Sequence, residues 1–301
     1  MKNIIAFRPW AYGISIALTV LSFFFIAIWG LNLGIDFKGG TLISLQYQQD
    51  APSREALYAD LEPLQLSSLS VQPAENRTVN IRYTAHDDST NAKVLETLQG
   101  KGQSFEVIRS DFIGGSVSEE ITHDALIGVI LSLIAIAVFI AYAFRKVSGL
   151  VTSWDYGWGA IISLAHDIII TVGAFAVLGR FFDIEIGVPF IAALLTILGY
   201  SVNDTIVVYD RVRENLTRSG GKEDFEALVN RSLNETLGRS VATSLTVIIT
   251  LLAITIYGGA STFSFALALL IGVTFGTYSS IFIAAALLVS RYHQKMRIKN
   301  S

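Results

Sequence analysis

The chain has 301 residues, of which 52% are hydrophobic and only 16% charged, with a net charge of -3 and a mean hydropathy of +0.53. This is too apolar for an ordinary soluble domain and indicates an integral protein of the lipid bilayer. The absence of cysteine excludes disulfides, thiolate metal sites and a Cys nucleophile. Without a long basic cluster or Arg-rich arm, nucleic acid is not expected as a partner.

Residues 1–33 read as an N-terminus and a first span. The apolar run Ala11 to Leu33 follows Lys2 and Arg8, as a signal peptide would. It is longer than a signal-peptide core and lacks a small-x-small cleavage site before a polar stretch, so a retained span is expected. Pro9 sits just outside it, where a missing N–H costs little.

Residues 34–124 read as a separate α+β domain. The pattern predicts strand (Thr41 to Gln48), helix (Ser53 to Leu61), strand (Leu66 to Gln72), strand (Arg77 to Tyr83), helix (Thr90 to Leu98) and strand (Phe105 to Phe112). That β-α-β-β-α-β order is the split βαβ, or ferredoxin-like, arrangement. Ser53, with Glu55 in the first turn, caps the first helix, and Asp88, Ser89 and Thr90 precede the second. In the third strand Ile81 and Tyr83 share one face and Arg82 takes the other. Nothing in this domain looks catalytic.

Residues 125–290 hold five more candidate spans: Ala125 to Phe144, Gly157 to Leu178, Gly187 to Tyr209, Val241 to Ala260 and Thr262 to Ser290. Basic residues collect at Lys2 and Arg8, at Arg145 and Lys146, in the 210–240 loop, and in the tail 291–301 with Arg291, Lys295, Arg297 and Lys299, whereas the short loops opposite carry only Arg180. The positive-inside rule then predicts six spans with both termini in the cytoplasm and the 34–124 domain exported. Within 210–240, Phe225, Leu228, Val229, Leu233 and Leu237 recur at helical spacing. They predict an amphipathic helix at the membrane surface or against a partner, with Gly220 and Gly221 forming the turn before it.

The chemistry lies in charged residues inside the spans. Asp204 interrupts a run long enough to cross about 30 Å of hydrocarbon, and an ionised Asp there costs at least about 2.5 kcal/mol. A residue retained at that cost ordinarily binds an ion, carries a proton, pairs with a charge or ties helices together. Asn203 lies beside it. His166 and Asp167 lie deeper, near mid-membrane, and two antiparallel helices would set them and Asp204 as steps of one polar path. A His beside an Asp can equally well bridge two helices. Arg239, at the mouth of span five, is placed either to snorkel toward Asp204 or to serve as a positive-inside anchor. Asp204 with the oxygens of Ser201, Asn203 and Thr205 would suit a proton or sodium. Gly272 and Gly276 form a GxxxG read as a packing surface.

Enzyme motifs are missing: there is no GxxxxGK[ST] and no HExxH. Gly199-Tyr200-Ser201 is followed by Val202, which breaks the usual intramembrane serine protease pattern, and no GxGD accompanies a Tyr-Asp. With no nucleotide site, an ion gradient is the expected energy source, at about 2.3 kcal/mol per charge per 100 mV.

The strings GIDFKGGT (Gly34 to Thr41), AHDIIIT (Ala165 to Thr171), LGYSVNDTIVVYDRVREN (Leu198 to Asn215), NETLGRSVATSLT (Asn234 to Thr246) and GTYSSI (Gly276 to Ile281) resemble the SecF family of bacterial protein export, relatives of the RND transporters. The resemblance covers essentially the whole chain. It implies one half of a twelve-span unit completed by SecD, acting beside the SecYEG channel on an unfolded preprotein and driven by protons or sodium. It also implies that Asp204 and Arg239 belong to the ion path. Departures from the family pattern are Gly115 where Pro is frequent, Ser118 where Gly is common, and Ser240 where Thr is usual. Gly39, Gly40, Gly114 and Gly115 are then expected as hinges between the exported domain and spans one and two. The rival readings are an RND-type half-transporter of small molecules or lipids, and a structural assembly factor.

Overall fold

The computed structural model describes residues 3–73, 76–84, 88–101, 104–145, 151–220 and 222–300. Lys2, Lys146 and Gly221 lie outside the described residues, as do the side chains of Asp88 and Lys299. The chain forms two units, one running through Asn32 and resuming at Leu126, the other spanning Leu33–Ala125.

In chain order, a 3-10 turn at Ile5–Phe7 leads into α1 (Arg8–Trp29), with Pro9 in its first turn. Gly30 stops the helix at φ 67°, its N–H returning to the Ile26 carbonyl at 2.9 Å. That is a left-handed stop that glycine makes without strain.

The second unit follows: α2 (Ile35–Lys38), β1 (Gly40–Tyr47), α3 (Arg54–Leu61), β2 (Ser67–Pro73), β3 (Thr78–Thr84), α4 (Asp88–Gln99) and β4 (Phe105–Ile113). Ser53 caps α3, its Oγ accepting the Ala56 N–H at 3.2 Å. The strands form one antiparallel sheet in the order β2-β3-β1-β4, as a split βαβ fold requires. In the β1–β3 register Ile43 faces Ile81 and Leu45 faces Val79. These four join Tyr47, Leu57, Leu61, Val71, Tyr83, Val94 and Leu98 in one buried core, and alternation along β3 places every second side chain, Val79, Ile81 and Tyr83, in it. Gly40 has φ 119°, and a Cβ there would sit 2.7 Å from the Tyr83 carbonyl oxygen. The second glycine of the pair is thus demanded by close approach of β1 to β3. Gly114 and Gly115 have open space around them.

The chain continues with α5 (Gly115–Ala143), α6 (Ser153–Phe182), α7 (Val188–Ser219), α8 (Phe225–Tyr257), α9 (Ala260–Ser279), a π turn (Ser280–Ala284) and α10 (Ala285–Asn300), the first unit resuming within α5 at Leu126. Among the described residues, six helical segments are long and apolar enough to cross a membrane: Ile5–Trp29, Gly115–Ala143, Ser153–Phe182, Val188–Ser219, Phe225–Tyr257 and Thr262–Ile298. Polar side chains set the helix starts. The Asp155 carboxylate accepts the Thr152 N–H at 2.6 Å ahead of α6, and Asp224 accepts the Ala227 N–H at 3.0 Å ahead of α8.

The expected helix with its apolar stripe over Phe225 to Leu237 is present, and the segment 210–240 is built into the bundle. It is the closed end of a helical hairpin: α7 runs to Ser219, Gly220 turns at φ 57°, and α8 runs unbroken from Phe225 into the fifth span. The apolar stripe is covered by the chain itself. Phe225, Leu228, Val229 and Leu233 share one buried cluster with Ile4, Ile5, Val212, Leu288 and Val289. Asn230 Oδ1 accepts the Ile4 and Ile5 N–H groups at 2.8 and 3.3 Å, and Glu226 receives Arg8 at 2.8 Å and His293 at 2.9 Å. An amphipathic pattern fixes which face is buried, not what buries it.

Candidate ion site within the helical bundle

Helices α6, α7, α8 and α9 pack on one another, and their contact is made close by missing side chains. A Cβ at Gly272 would lie 2.1 Å from Ile197 Cδ1, and one at Gly276 would lie 3.0 Å from Ser201 Cβ and 3.5 Å from Asp167 Oδ2. The GxxxG of α9 thus serves as the packing surface expected of it, and it brings the α9 backbone against a polar cluster.

Asp167, on α6, is fully buried. Its Oδ2 accepts Ser201 Oγ from α7 at 2.7 Å and Ser279 Oγ from α9 at 2.8 Å. Its Oδ1 lies 3.0 Å from His166 Nδ1. One carboxylate therefore joins three helices, and Thr171 Oγ1 donates back to its carbonyl at 2.8 Å. Just beyond Ser279 the helix opens into the π turn. Ser280 Oγ lies 2.8 Å from Thr205 Oγ1 and donates to the Ser201 carbonyl at 3.2 Å, while Tyr209 donates to the Ala284 carbonyl at 3.2 Å. Side chains of α7 thus satisfy backbone and hydroxyl groups where the π geometry breaks the regular ladder, an irregularity that frequently marks functional sites.

Asp204 follows Ser201 on the same face of α7, about 4.5 Å further along the helix axis. It is 6% exposed, and its Oδ2 has no hydrogen-bond partner. Ser240 of α8 is near enough to interact with it, yet its buried Oγ makes no hydrogen bond of good geometry. One turn further, Ser244 Oγ receives Tyr200 OH at 3.2 Å and Thr277 Oγ1 at 2.7 Å. The bundle therefore carries a polar ladder, with one carboxylate fully held and the other incompletely held.

The structure brings His166, Asp167, Gly276 and Asp204 to this ladder and leaves Arg239 and Asn203 outside it. Both are exposed, and among the described residues Arg239 forms no ion pair with Asp204. The reason is angular: consecutive helix residues are about 100° apart, so the α8 face that turns Ser240 toward Asp204 turns Arg239 away. The oxygens expected around Asp204 are also redistributed, Ser201 to Asp167, Thr205 to Ser280 and Asn203 to the exterior. Ser279 and Ser280 are the participants that sequence reasoning missed. Their signal is the Ser pair that follows the GxxxG after Thr277 and Tyr278.

Comparison with known proteins fits this architecture. Residues 93–294 match the family "Protein export membrane protein SecD/SecF, C-terminal", and residues 24–51, which include Gly39, Gly40 and all of β1, match the SecD/SecF GG motif. The chain is 40% identical to the protein translocase subunit SecF of Thermobaculum terrenum, covering 96% of this chain and 94% of that one. It is 37% identical to the SecF of Haemophilus influenzae, over 93% of this chain and 83% of that one. Among solved structures, SecDF of Thermus thermophilus, a translocon-associated membrane protein, superposes with a TM-score of 0.85 at 32% identity. That match covers 96% of this chain but 38% of SecDF, so the chain spans under two fifths of that longer protein. A SecDF structure in a super-membrane-facing form gives a TM-score of 0.68 at 31% identity. By sequence along nearly its whole length and by the fold of the bundle, the chain belongs to the SecF family of protein translocase subunits.

Proposed function

We propose that this subunit couples an ion gradient to preprotein export, with Asp204 as the residue that takes up and releases the ion. The observation that carries the reading is a buried carboxylate with an unpartnered oxygen and no ion pair to a Lys or Arg among the described residues, one turn along α7 from Ser201, which bonds a second buried carboxylate, Asp167. A structural tie would satisfy both oxygens, as at Asp167. The oxygens a sodium ion would need at Asp204 are engaged elsewhere or turned outward, which favours a proton over sodium.

In this reading the chain works with a SecD half beside the SecYEG channel, with both termini in the cytoplasm and the α+β domain on the far side of the membrane. The length of SecDF that this chain does not cover supports the first part, and the basic residues at one end of the spans support the second. Change of charge at Asp204 alters the contacts of α7 with α8 and α9. The motion reaches the α+β domain through the Gly114–Gly115 pair and the Gly39–Gly40 turn. Arg239, exposed here, acts after a rotation of α8. The subunit performs no covalent chemistry of its own.

The test is pulse-chase export of a secreted precursor in cells depleted of the native subunit. They are supplied with this chain or its Asp204→Asn variant at matched membrane levels. Accumulated precursor with the variant supports the reading, and normal export makes Asp204 a packing residue. An assembly factor without ion coupling would survive the replacement, whereas a small-molecule pump would show altered accumulation of its solute and unchanged export.

A further inference from the structure

Helix α5 is fastened to the bundle near its last turns. Ile140 and Phe144 are buried there, with Phe144 stacked on Tyr156 at 4.9 Å and its carbonyl accepting Ser153 Oγ at 2.8 Å. Earlier along α5, the helix meets α6 where α6 has no side chain: a Cβ at Gly157 would lie 3.7 Å from the Ala137 carbonyl oxygen. Larger side chains flank that point and leave an open-sided groove of about 260 Å³ between the two helices. Ile134, Ala137 and Val138 of α5 line it, opposite Trp154, Gly157 and Trp158 of α6. The indole N–H groups are the polar atoms of its lining side chains, and Trp154 and Trp158 are 62% and 52% exposed.

Both helices are long and apolar enough to cross a membrane, so the groove opens toward acyl chains. Trp154 lies in the first turn of α6, and tryptophan collects where hydrocarbon meets headgroups. At the same end, just past α5, stands the exposed Arg145. Its guanidinium lies over the Tyr142 ring, 3.8 Å from the centroid, and donates to the Tyr142 carbonyl at 3.2 Å. Among the described residues Arg145 forms no ion pair, while Asp155, beside Trp154, is bound by Lys295. A guanidinium offers five N–H donors in a fork that matches phosphate, and here its orientation is set while most of those donors stay open. A second helix is a poor occupant, because a cylinder about 10–12 Å across would ride over the groove instead of entering it. A single acyl chain enters it.

We propose that the α5–α6 groove binds an anionic phospholipid of the phosphatidylglycerol kind, one acyl chain lying along Ala137 and Gly157 and the phosphate on Arg145. The bound chain fills the gap beyond the Ala137–Gly157 contact and braces α5 in the position that the Phe144–Tyr156 stack sets. Basic residues gathered at this end of the spans raise the local concentration of anionic lipid. The site is independent of the ion-coupling reading.

The test uses the full chain in phosphatidylcholine vesicles containing phosphatidylglycerol as a minor component. One lipid or the other carries bromine on its acyl chains, which quenches indole fluorescence on contact. The remaining tryptophans, Trp10 and Trp29, are replaced by Phe so that emission comes from the groove. Brominated phosphatidylglycerol should be preferred over brominated phosphatidylcholine about fivefold. Arg145→Gln should remove the preference, Arg145→Lys should keep part of it, and Ile134→Phe, which fills the groove from an exposed position, should lower quenching by both lipids. Phosphatidylglycerol should raise the unfolding temperature of the unsubstituted chain and not that of Arg145→Gln. If Ile134→Phe fails to accumulate, the two Arg145 variants decide. Equal quenching by the two lipids, or a preference that survives Arg145→Gln, overturns the proposal. Loss of quenching by both lipids when a SecD half is reconstituted with the chain also overturns it, and makes the groove a seat for protein.

Discussion

Gly272→Ala is the sharpest test of how the bundle is assembled. The added methyl would sit 2.1 Å from Cδ1, 2.4 Å from Cγ1 and 2.9 Å from Cγ2 of Ile197, where carbon atoms ordinarily settle at about 3.5 to 4.0 Å. Moving Cδ1 alone would be cheap, but Cγ1 and Cγ2 are both fixed to Cβ and move only by a χ1 rotation, which a β-branched residue in a helix resists, or with the α7 backbone. The expected cost is about 1 to 3 kcal/mol, the range for overpacking a filled interior. The geometry also dictates which second substitution rescues it. Ile197→Val removes only Cδ1 and leaves both close contacts. Ile197→Ala removes all three atoms and opens a cavity that the new methyl fills. Thermal unfolding of the detergent-solubilised protein should show Gly272→Ala and Gly272→Ala/Ile197→Val destabilised to a similar degree. Gly272→Ala/Ile197→Ala should be more stable than Ile197→Ala alone. A neutral Gly272→Ala, or strictly additive effects in the double variants, would refute the claim that α9 packs on α7 through this glycine.

Three further outcomes follow from particular contacts. Gly40→Ala, at φ 119° and 2.7 Å from the Tyr83 carbonyl, should cost about 1 to 3 kcal/mol and raise hydrogen exchange along β1 and β3. Asn230→Ala removes the acceptor of the Ile4 and Ile5 N–H groups and should cost about 0.5 to 2 kcal/mol, with faster exchange confined to the start of the chain. Arg239→Ala, at an exposed side chain, should change the unfolding temperature by no more than about 0.5 kcal/mol of stability implies. Any export defect it causes would then report on function and not on folding.

The elements of this fold could be read from the sequence where one residue's neighbours are fixed by periodicity. Ile81, Arg82 and Tyr83 alternate across β3 as a period of two demands, with Ile81 and Tyr83 in the core. Each of the six long apolar runs overlaps one of the six long apolar helical segments among the described residues, some running a few residues past the helix end, as where the first run continues to Leu33 and its helix stops at Trp29. What escaped reading depends on rotation and on contacts far apart in the chain. Arg239 and Ser240 are adjacent, and only the orientation of α8 decides which of them meets Asp204. Ser279 is one hydroxyl among many on apolar helices until α9 is seen to close on Asp167. The stripe from Phe225 to Leu233 is plain in the sequence, but its cover comes from Ile4 and Ile5, more than two hundred positions earlier, and from the last helix.

The central claim is that Asp204 joins an ion gradient to polypeptide movement. It is tested most directly in inverted membrane vesicles holding a preprotein arrested partway through export, with nucleotide removed. The completion of transport is then timed with and without an imposed proton gradient. The account predicts that the gradient speeds completion with the unsubstituted chain and has no effect with Asp204→Asn. Equal acceleration by the gradient in both would contradict it.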